Sequence, residues 1–132
     1  MSGPRAYSDP RPGPRALAAV LIACASLLGA CSPTRVVGAG RTFQLALIEY
    51  RIVPDKVRAP AGPLTIEVHN YGRLTHNLQI SQNGLANATT KPIAPGGTVQ
   101  LDVTLAPGEY SLSSTILSDQ ALGAYGTLVI TS

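Results

Sequence analysis

Sulfur-containing residues are nearly absent from this chain of 132 residues, and the few that occur all lie in its first 31 residues. The only cysteines are Cys24 and Cys31, the only methionine is Met1, and tryptophan does not occur. The chain after Cys31 therefore lacks disulfide bonds and any metal centre that requires a thiolate ligand. A folded unit of about 90 residues is large enough to be stable through its hydrophobic core alone.

Charge is also sparse, at 13% of residues, and the net charge is +3. The first 30 residues contain Arg5, Arg11 and Arg15 against Asp9, which contributes +2 of this total. From Cys31 onward seven Lys or Arg residues face six Asp or Glu residues. No basic stripe with interleaved aromatic residues occurs, so the sequence does not indicate nucleic-acid binding. We expect a single, monomeric domain.

The first 30 residues have the layout of a signal peptide. An arginine-bearing segment precedes an apolar run over residues 16–30, and small residues follow. The run is shorter than the roughly 20 residues that span a bilayer comfortably. The sequence therefore predicts an exported protein, on the outer face of the cytoplasmic membrane or the periplasmic side.

Leu28-Gly29-Ala30-Cys31 resembles the lipobox of bacterial lipoproteins, in which the cysteine becomes the lipidated first residue of the mature protein. Leu21-Ile22-Ala23-Cys24 is an alternative, but cleavage there leaves an apolar segment at the short end of the usual range. Cys31 is therefore the preferred lipidation site. We divide the chain into a signal peptide (residues 1–30), a lipidated cysteine and tether (31–40) and a folded domain (41–132). An uncleaved anchor or a signal peptide without lipidation remains an alternative.

From Arg41 onward the hydrophobic pattern is that of short strands. Apolar residues alternate with polar or smaller ones over residues 43–48, 64–69 and 99–105, and segments rich in proline and glycine separate these runs. Short strands with frequent turn signals predict an all-β sandwich. A helix over residues 81–91 is an alternative with weaker support.

Several segments in this order resemble the cupredoxin family: residues 57–66, the Asn70-Tyr71-Gly72 turn leading to His76-Asn77, and Pro107-Gly108-Glu109-Tyr110 before the last hairpin. The resemblance covers about residues 41–132. It implies a Greek-key β-sandwich of about seven or eight strands. One end of the sandwich would be formed by the loop at His76 and the loop over residues 114–124.

In that family a histidine, a cysteine, a second histidine and a methionine bind copper, and the asparagine after the first histidine ties two loops together. In this chain these positions correspond to His76, Ser114, Asp119 and Ala124. Only His76 is retained, so the resemblance implies a degenerate site without blue copper. In its simplest role, His76 bonds to a backbone carbonyl and closes this end of the fold.

Two further interpretations of these residues stay open. One is a weak copper(II) or other metal site at His76 and Asp119, although even catalytic zinc sites use three protein ligands. The other is a Ser-His-Asp hydrolase, which we disfavour because no Gly-x-Ser-x-Gly motif surrounds Ser114. His69 faces away from the apolar side of its strand, which favours a solvated or cross-strand role. Tyr110 and Tyr125 are expected to frame the last hairpin.

The sequence thus predicts a membrane-anchored lipoprotein with a non-catalytic, cupredoxin-like binding module. Its expected partners are the membrane, through Cys31, and an envelope protein. No cofactor is expected, apart from weakly bound copper in the alternative that uses His76 and Asp119.

Overall fold

The computed structural model of the chain describes residues 3–4, 31–117 and 119–132. The predicted signal peptide lies outside the described residues except for residues 3–4. The described strands are β1 (Arg35–Val36), β2 (Thr42–Ile48), β3 (Arg51–Val53), β4 (Lys56–Pro60), β5 (Gly62–Asn70), β6 (Gln79–Gln82), β7 (Leu85–Thr89), β8 (Thr98–Leu105), β9 (Gly108–Ser113) and β10 (Tyr125–Thr131). Within these ranges there is no helix, and thus none that is long and apolar enough to cross a membrane.

The strands form two sheets. One has six strands in the order β1-β4-β10-β9-β6-β7, and the other has four in the order β3-β2-β5-β8. The ten strands exceed the seven or eight that the resemblance implied, and the shortest two, β1 and β3, have only two and three residues. The prediction of an all-β sandwich is confirmed.

The core lies between the two sheets, where alternate residues of each strand point inward. On β2 and β5 the buried residues follow the predicted alternation, and β9 and β10 supply the facing side chains. These core residues include Phe43, Leu45, Leu47, Leu64, Ile66, Val68, Leu112, Leu128 and Ile130. Their burial supplies the hydrophobic stabilisation that a domain without disulfide bonds requires.

The helix considered for residues 81–91 is wrong, because β6 and β7 form an antiparallel hairpin there. Asn83 and Gly84 connect the two strands with φ angles of 51° and 77°. Positive φ at both central residues is typical of a two-residue type I′ turn, for which Asn-Gly is a preferred sequence. This dipeptide was the local signal that could have identified the hairpin.

The predicted tether is shorter than the sequence indicated. Arg35 and Val36 pair in parallel with Val57 and Arg58 of β4. Val37 is buried, and its N–H donates to the Arg58 carbonyl at 2.8 Å. Within the predicted tether, only residues 31–34 therefore precede the first strand.

Candidate functional site

One end of the sandwich, here called the upper end, is formed by four connections. These are residues 49–50 between β2 and β3, 71–78 between β5 and β6, 90–97 between β7 and β8, and 114–124 between β9 and β10. They meet because β2 and β5 run in parallel and β9 ends beside the start of β10. The opposite, lower end holds the β1–β2, β4–β5, β6–β7 and β8–β9 connections. All four positions that correspond to copper ligands lie at the upper end.

Four buried residues of the upper end form a hydrogen-bonded group that we call the polar cluster: His76, Asn77, Ser114 and Asp119. At its centre, Oδ2 of Asp119 lies 2.6 Å from Nδ1 of His76 and 2.6 Å from Oγ of Ser114. An ionised carboxylate only accepts hydrogen bonds, so both neighbours donate to it. Hydrogen bonds to a charged acceptor are short and strong. The cluster therefore joins the loop at His76 to the 114–124 loop.

Asn77 provides a second connection between the same loops. Its Oδ1 accepts the N–H of Thr115 at 2.7 Å, and its Nδ2 donates to Oγ1 of Thr115 at 2.9 Å. The backbone N–H of Asn77 also donates to Oγ of Ser114 at 3.3 Å. Asn77 thus ties the two loops together, as the family resemblance implied.

Ala124 contributes to the site through its backbone. The N–H of Ser114 donates to the Ala124 carbonyl at 3.1 Å, and the N–H of Ala124 donates to the Asp119 carbonyl at 2.9 Å. The methyl side chain is buried and carries no donor atom. Ala124 closes the base of the loop without offering a metal ligand.

The far side of the His76 ring is different, because Nε2 is buried and has no hydrogen-bond partner among the described residues. Because Nδ1 already contacts Asp119, Nε2 is the ring atom left without a partner. Nε2 faces Gly72, where an added Cβ would lie 3.0 Å from Nε2 and 2.6 Å from Oε1 of Glu49. The ring is therefore held between Asp119 and a backbone position that has no room for a side chain.

Glu49 fixes the loop that covers this side of the ring. Its Oε1 accepts the N–H groups of Arg73 and Leu74, the second at 3.1 Å. Mainly because Arg73 donates its N–H to the ionised form, the pKa of the Glu49 carboxyl is lower than usual. The β2–β3 turn is thereby connected to the loop after β5.

The residues present at the ligand positions do not fit a blue-copper centre. Such a centre needs a thiolate and two imidazoles, whereas here a hydroxyl, a carboxylate and a methyl group accompany one imidazole. The proposed metal ligands His76 and Asp119 bond directly to each other. Nowhere in the described ranges do three or more His, Cys, Asp or Glu side chains form a group able to hold a metal ion.

The same geometry differs from a hydrolase triad. In a triad the imidazole lies between the serine and the carboxylate and takes the hydroxyl proton. Here Asp119 lies in the middle, and Ser114 donates to the carboxylate instead of to His76. The serine hydroxyl thus donates to a carboxylate, and the order of the three residues is not that of a Ser-His-Asp triad.

The expectations for His69, His76 and the two tyrosines of the last hairpin also have clear outcomes. His69 does take a cross-strand role, because its Nδ1 lies 2.8 Å from Oγ1 of Thr98 on β8 and its ring stacks on Tyr71 at 5.7 Å. The expectation that His76 bonds to a backbone carbonyl through its ring is wrong, since the ring bonds to Asp119. Tyr110 frames the last hairpin, with its hydroxyl donating to the Ala106 carbonyl. Tyr125 is instead largely exposed.

The sequence analysis missed a set of exposed apolar side chains around the polar cluster, which we call the apical rim. It consists of Tyr50, Tyr71, Leu74, Leu117, Leu122 and Tyr125. Large apolar side chains in several adjacent loops are unusual on a soluble surface, where contiguous apolar patches mark interaction sites. In the sequence, apolar or tyrosine residues occur in three of the connections between strands. The alternation of residues within strands does not explain them.

Comparison with known proteins agrees with the sandwich fold. A family model described as the cupredoxin-like domain matches residues 18–130, a span that begins within the predicted signal peptide. A search of curated proteins finds no significant match.

Solved structures of this fold include several similar chains. Auracyanin from Roseiflexus castenholzii superposes with a TM-score of 0.65 at 22% identity, covering 72% of this chain and 100% of that one. Rusticyanin from Thiobacillus ferrooxidans has a TM-score of 0.60 at 15% identity, covering 74% and 82%. A purple cupredoxin from Nitrosopumilus maritimus has a TM-score of 0.52 at 18% identity, covering 67% and 98%. From the family match across most of its length, this chain belongs to the cupredoxin-like domain family.

Proposed function

We propose that this protein is an exported, lipid-anchored, non-catalytic binding module whose contact surface is the upper end of its sandwich. The observation that carries this proposal is the polar cluster. At the positions where cupredoxins bind copper, Asp119 accepts hydrogen bonds from both His76 and Ser114. These bonds order the loops without a metal, while the apical rim around them remains exposed.

A non-catalytic role is supported by the chemistry of the same residues. Ser114 lacks a hydrogen bond to His76, so it lacks the imidazole base of a Ser-His-Asp triad. Without a thiolate the site also lacks the ligand set of blue-copper electron transfer. Binding through loops on a rigid sandwich is a common use of such a scaffold, and an envelope protein is the partner expected from the location.

Export and anchoring rest on the leader pattern and on Cys31, which is exposed and precedes the folded domain. Cys31→Ser should release the domain from membranes or leave its leader uncleaved, as judged by membrane fractionation and the mass of the mature protein. Cys24→Ser is the matched control and should remain anchored. Retention of processed Cys31→Ser protein in the membrane fraction would contradict the anchoring proposal.

A second candidate function is copper(II) handling at a non-blue site, and the unpartnered Nε2 of His76 is the observation in its favour. The direct bond between His76 and Asp119 opposes it, because a metal between them would have to break that bond. Copper(II) titration followed by electron paramagnetic resonance separates the two functions. Stoichiometric binding that is micromolar or tighter and disappears in His76→Ala would replace the binding-module proposal with copper handling.

A further inference from the structure

The chain enters the folded domain from the upper end. β1 runs parallel to β4, and β4 runs parallel to β10, whose first residue is Tyr125. Residues that precede β1 therefore lie toward the loops of the upper end. Ser32 and Pro33 line a shallow depression together with Gly123 and Tyr125. The segment that follows Cys31 thus lies beside the apical rim.

The short reach of this segment restricts where a lipid on Cys31 can lie. Residues 31–34 extend by at most about 14 Å. The seven residues of β10, which run from the upper toward the lower end, span about 20 Å. Since the segment starts near the upper end, that end is the one held next to the bilayer.

The surface of the upper end has the chemistry of a membrane interface. The apical rim contains three tyrosines and three leucines, and Leu117 and Tyr71 are 88% and 70% exposed. Tyrosine is enriched at the membrane–water boundary because its ring is apolar and its hydroxyl polar. The exposed basic residues Arg73 and Lys91 lie in connections of the upper end, and Arg51 lies at the start of β3. The described residues offer them no salt bridge. Such cations are attracted to anionic lipid headgroups.

We propose that the upper end rests on the phospholipid bilayer that holds the Cys31 lipid, with the apical rim inserted at the headgroup boundary and the basic residues against anionic headgroups. This inference rests on the lipid anchor of the proposed function. It names the bilayer, in place of an envelope protein, as the partner of the upper end and as the surface that covers the polar cluster. The lower end then faces away from the membrane.

The test measures the depth of single labels in the processed, full-length protein reconstituted into vesicles of phosphatidylethanolamine and phosphatidylglycerol. A thiol-reactive fluorophore is attached to Leu122→Cys at the upper end or, as the matched control, to Leu85→Cys. Leu85 is also an exposed leucine, 74% accessible, but lies on the β6–β7 hairpin of the lower end. Brominated lipids should quench the Leu122→Cys label several-fold more than the Leu85→Cys label.

The parent protein separates failure of the inference from failure of the anchor. A parent that reacts with the fluorophore has a free thiol, so its Cys31 is not lipidated, and both the anchor at Cys31 and the orientation that depends on it fall. An unreactive parent with equal quenching at the two positions leaves the anchor standing and overturns the orientation. A third outcome also overturns the orientation. If the Leu122→Cys label is not quenched in vesicles but is shielded from a soluble quencher in native membranes, the upper end binds a protein partner.

Discussion

The two ends of the sandwich differ in where their polar and apolar side chains lie, buried or exposed. The buried polar residues of the described chain all lie at the upper end: Asn70, His76, Asn77, Ser113, Ser114 and Asp119. The same end carries six of the nine large apolar residues that are exposed. At the lower end the exposed large apolar residue is Leu85, and compact turns close the fold.

The lower end is closed by local geometry. Gly62, Gly84 and Gly108 adopt positive φ angles in its turns, and Arg41 donates to the Ala61 carbonyl at 2.7 Å. Such turns need no buried charge. The upper end instead depends on hydrogen bonds between residues distant in sequence, because the loops themselves are longer. The difference shows that the upper end is stabilised by hydrogen bonds between polar side chains of separate loops, whereas the lower end is closed by short turns.

The largest effect is expected from restoring the ligand set. Ser114→Cys, Asp119→His and Ala124→Met together would supply, with His76, the thiolate, two imidazoles and thioether of a blue-copper centre. We expect the triple variant to bind copper(II) with intense visible absorption, measured together with its electron paramagnetic resonance spectrum. The double variant that keeps Ser114 is the control and should not turn blue. A folded but colourless triple variant would show that these positions do not superpose on the ligands.

Asp119→Ala should destabilise the domain strongly, because it leaves the buried His76 and Ser114 donors without an acceptor. Removing one partner of such a buried interaction costs about 3 kcal/mol in the free energy of unfolding. Chemical denaturation measures the loss. Asp102→Ala is the matched control, since Asp102 is exposed and accepts from Thr65 and Gln100. Equal midpoints for the two variants would contradict a stabilising role for the polar cluster.

Gly72→Ala should destabilise the domain by about 2 kcal/mol, a typical cost of inserting a methyl group where no space exists. The added Cβ would lie 2.6 Å from Oε1 of Glu49 and 3.0 Å from Nε2 of His76. Gly38→Ala at the lower end is the control, because its Cβ would meet no atom within 4 Å. Thermal unfolding measures the stability of both variants. A destabilised Gly38→Ala together with an unaffected Gly72→Ala would contradict the prediction.

The smallest effect is expected from Glu49→Gln. The pKa of Glu49 is lower in the folded state, chiefly because Arg73 donates its N–H to the carboxylate. This contribution to stability is complete above the ordinary pKa of 4.5 and is lost as the pH falls through the lower folded value. Glu49→Gln should therefore flatten the acid limb of the stability profile below about pH 4.5.

Unfolding midpoints measured along an acid series check this, with Glu109→Gln at the lower end as the control. Its carboxylate accepts no hydrogen bond from the described residues. An acid limb that is unchanged by Glu49→Gln would show that the bonds to the loop after β5 contribute nothing to stability.

Strand alternation was sufficient to predict the sandwich, because inward and outward positions differ in polarity along β2 and β5. The resemblance also identified the residues of the polar cluster. It did not predict their bonds, since His76 and Asp119 are 43 positions apart and their contact depends on how two loops fold. Likewise, the pairing of β1 was missed because two exposed residues carry no alternation. The apical rim was missed because its exposure is a property of the assembled loops.

The two-residue strand β1 also determines how the domain responds to mechanical load. A pull on a lipid at Cys31 reaches the domain through β1, which is held by two residue pairs and by the Val37 bond to Arg58. The neighbouring strands of the same sheet, β4 with β10 and β10 with β9, are paired over more residues. With the proposed anchor at Cys31, we expect β1 to separate first under tension and residues 35–40 to add about 20 Å of slack while the sandwich remains closed. The domain would then move away from the membrane without unfolding.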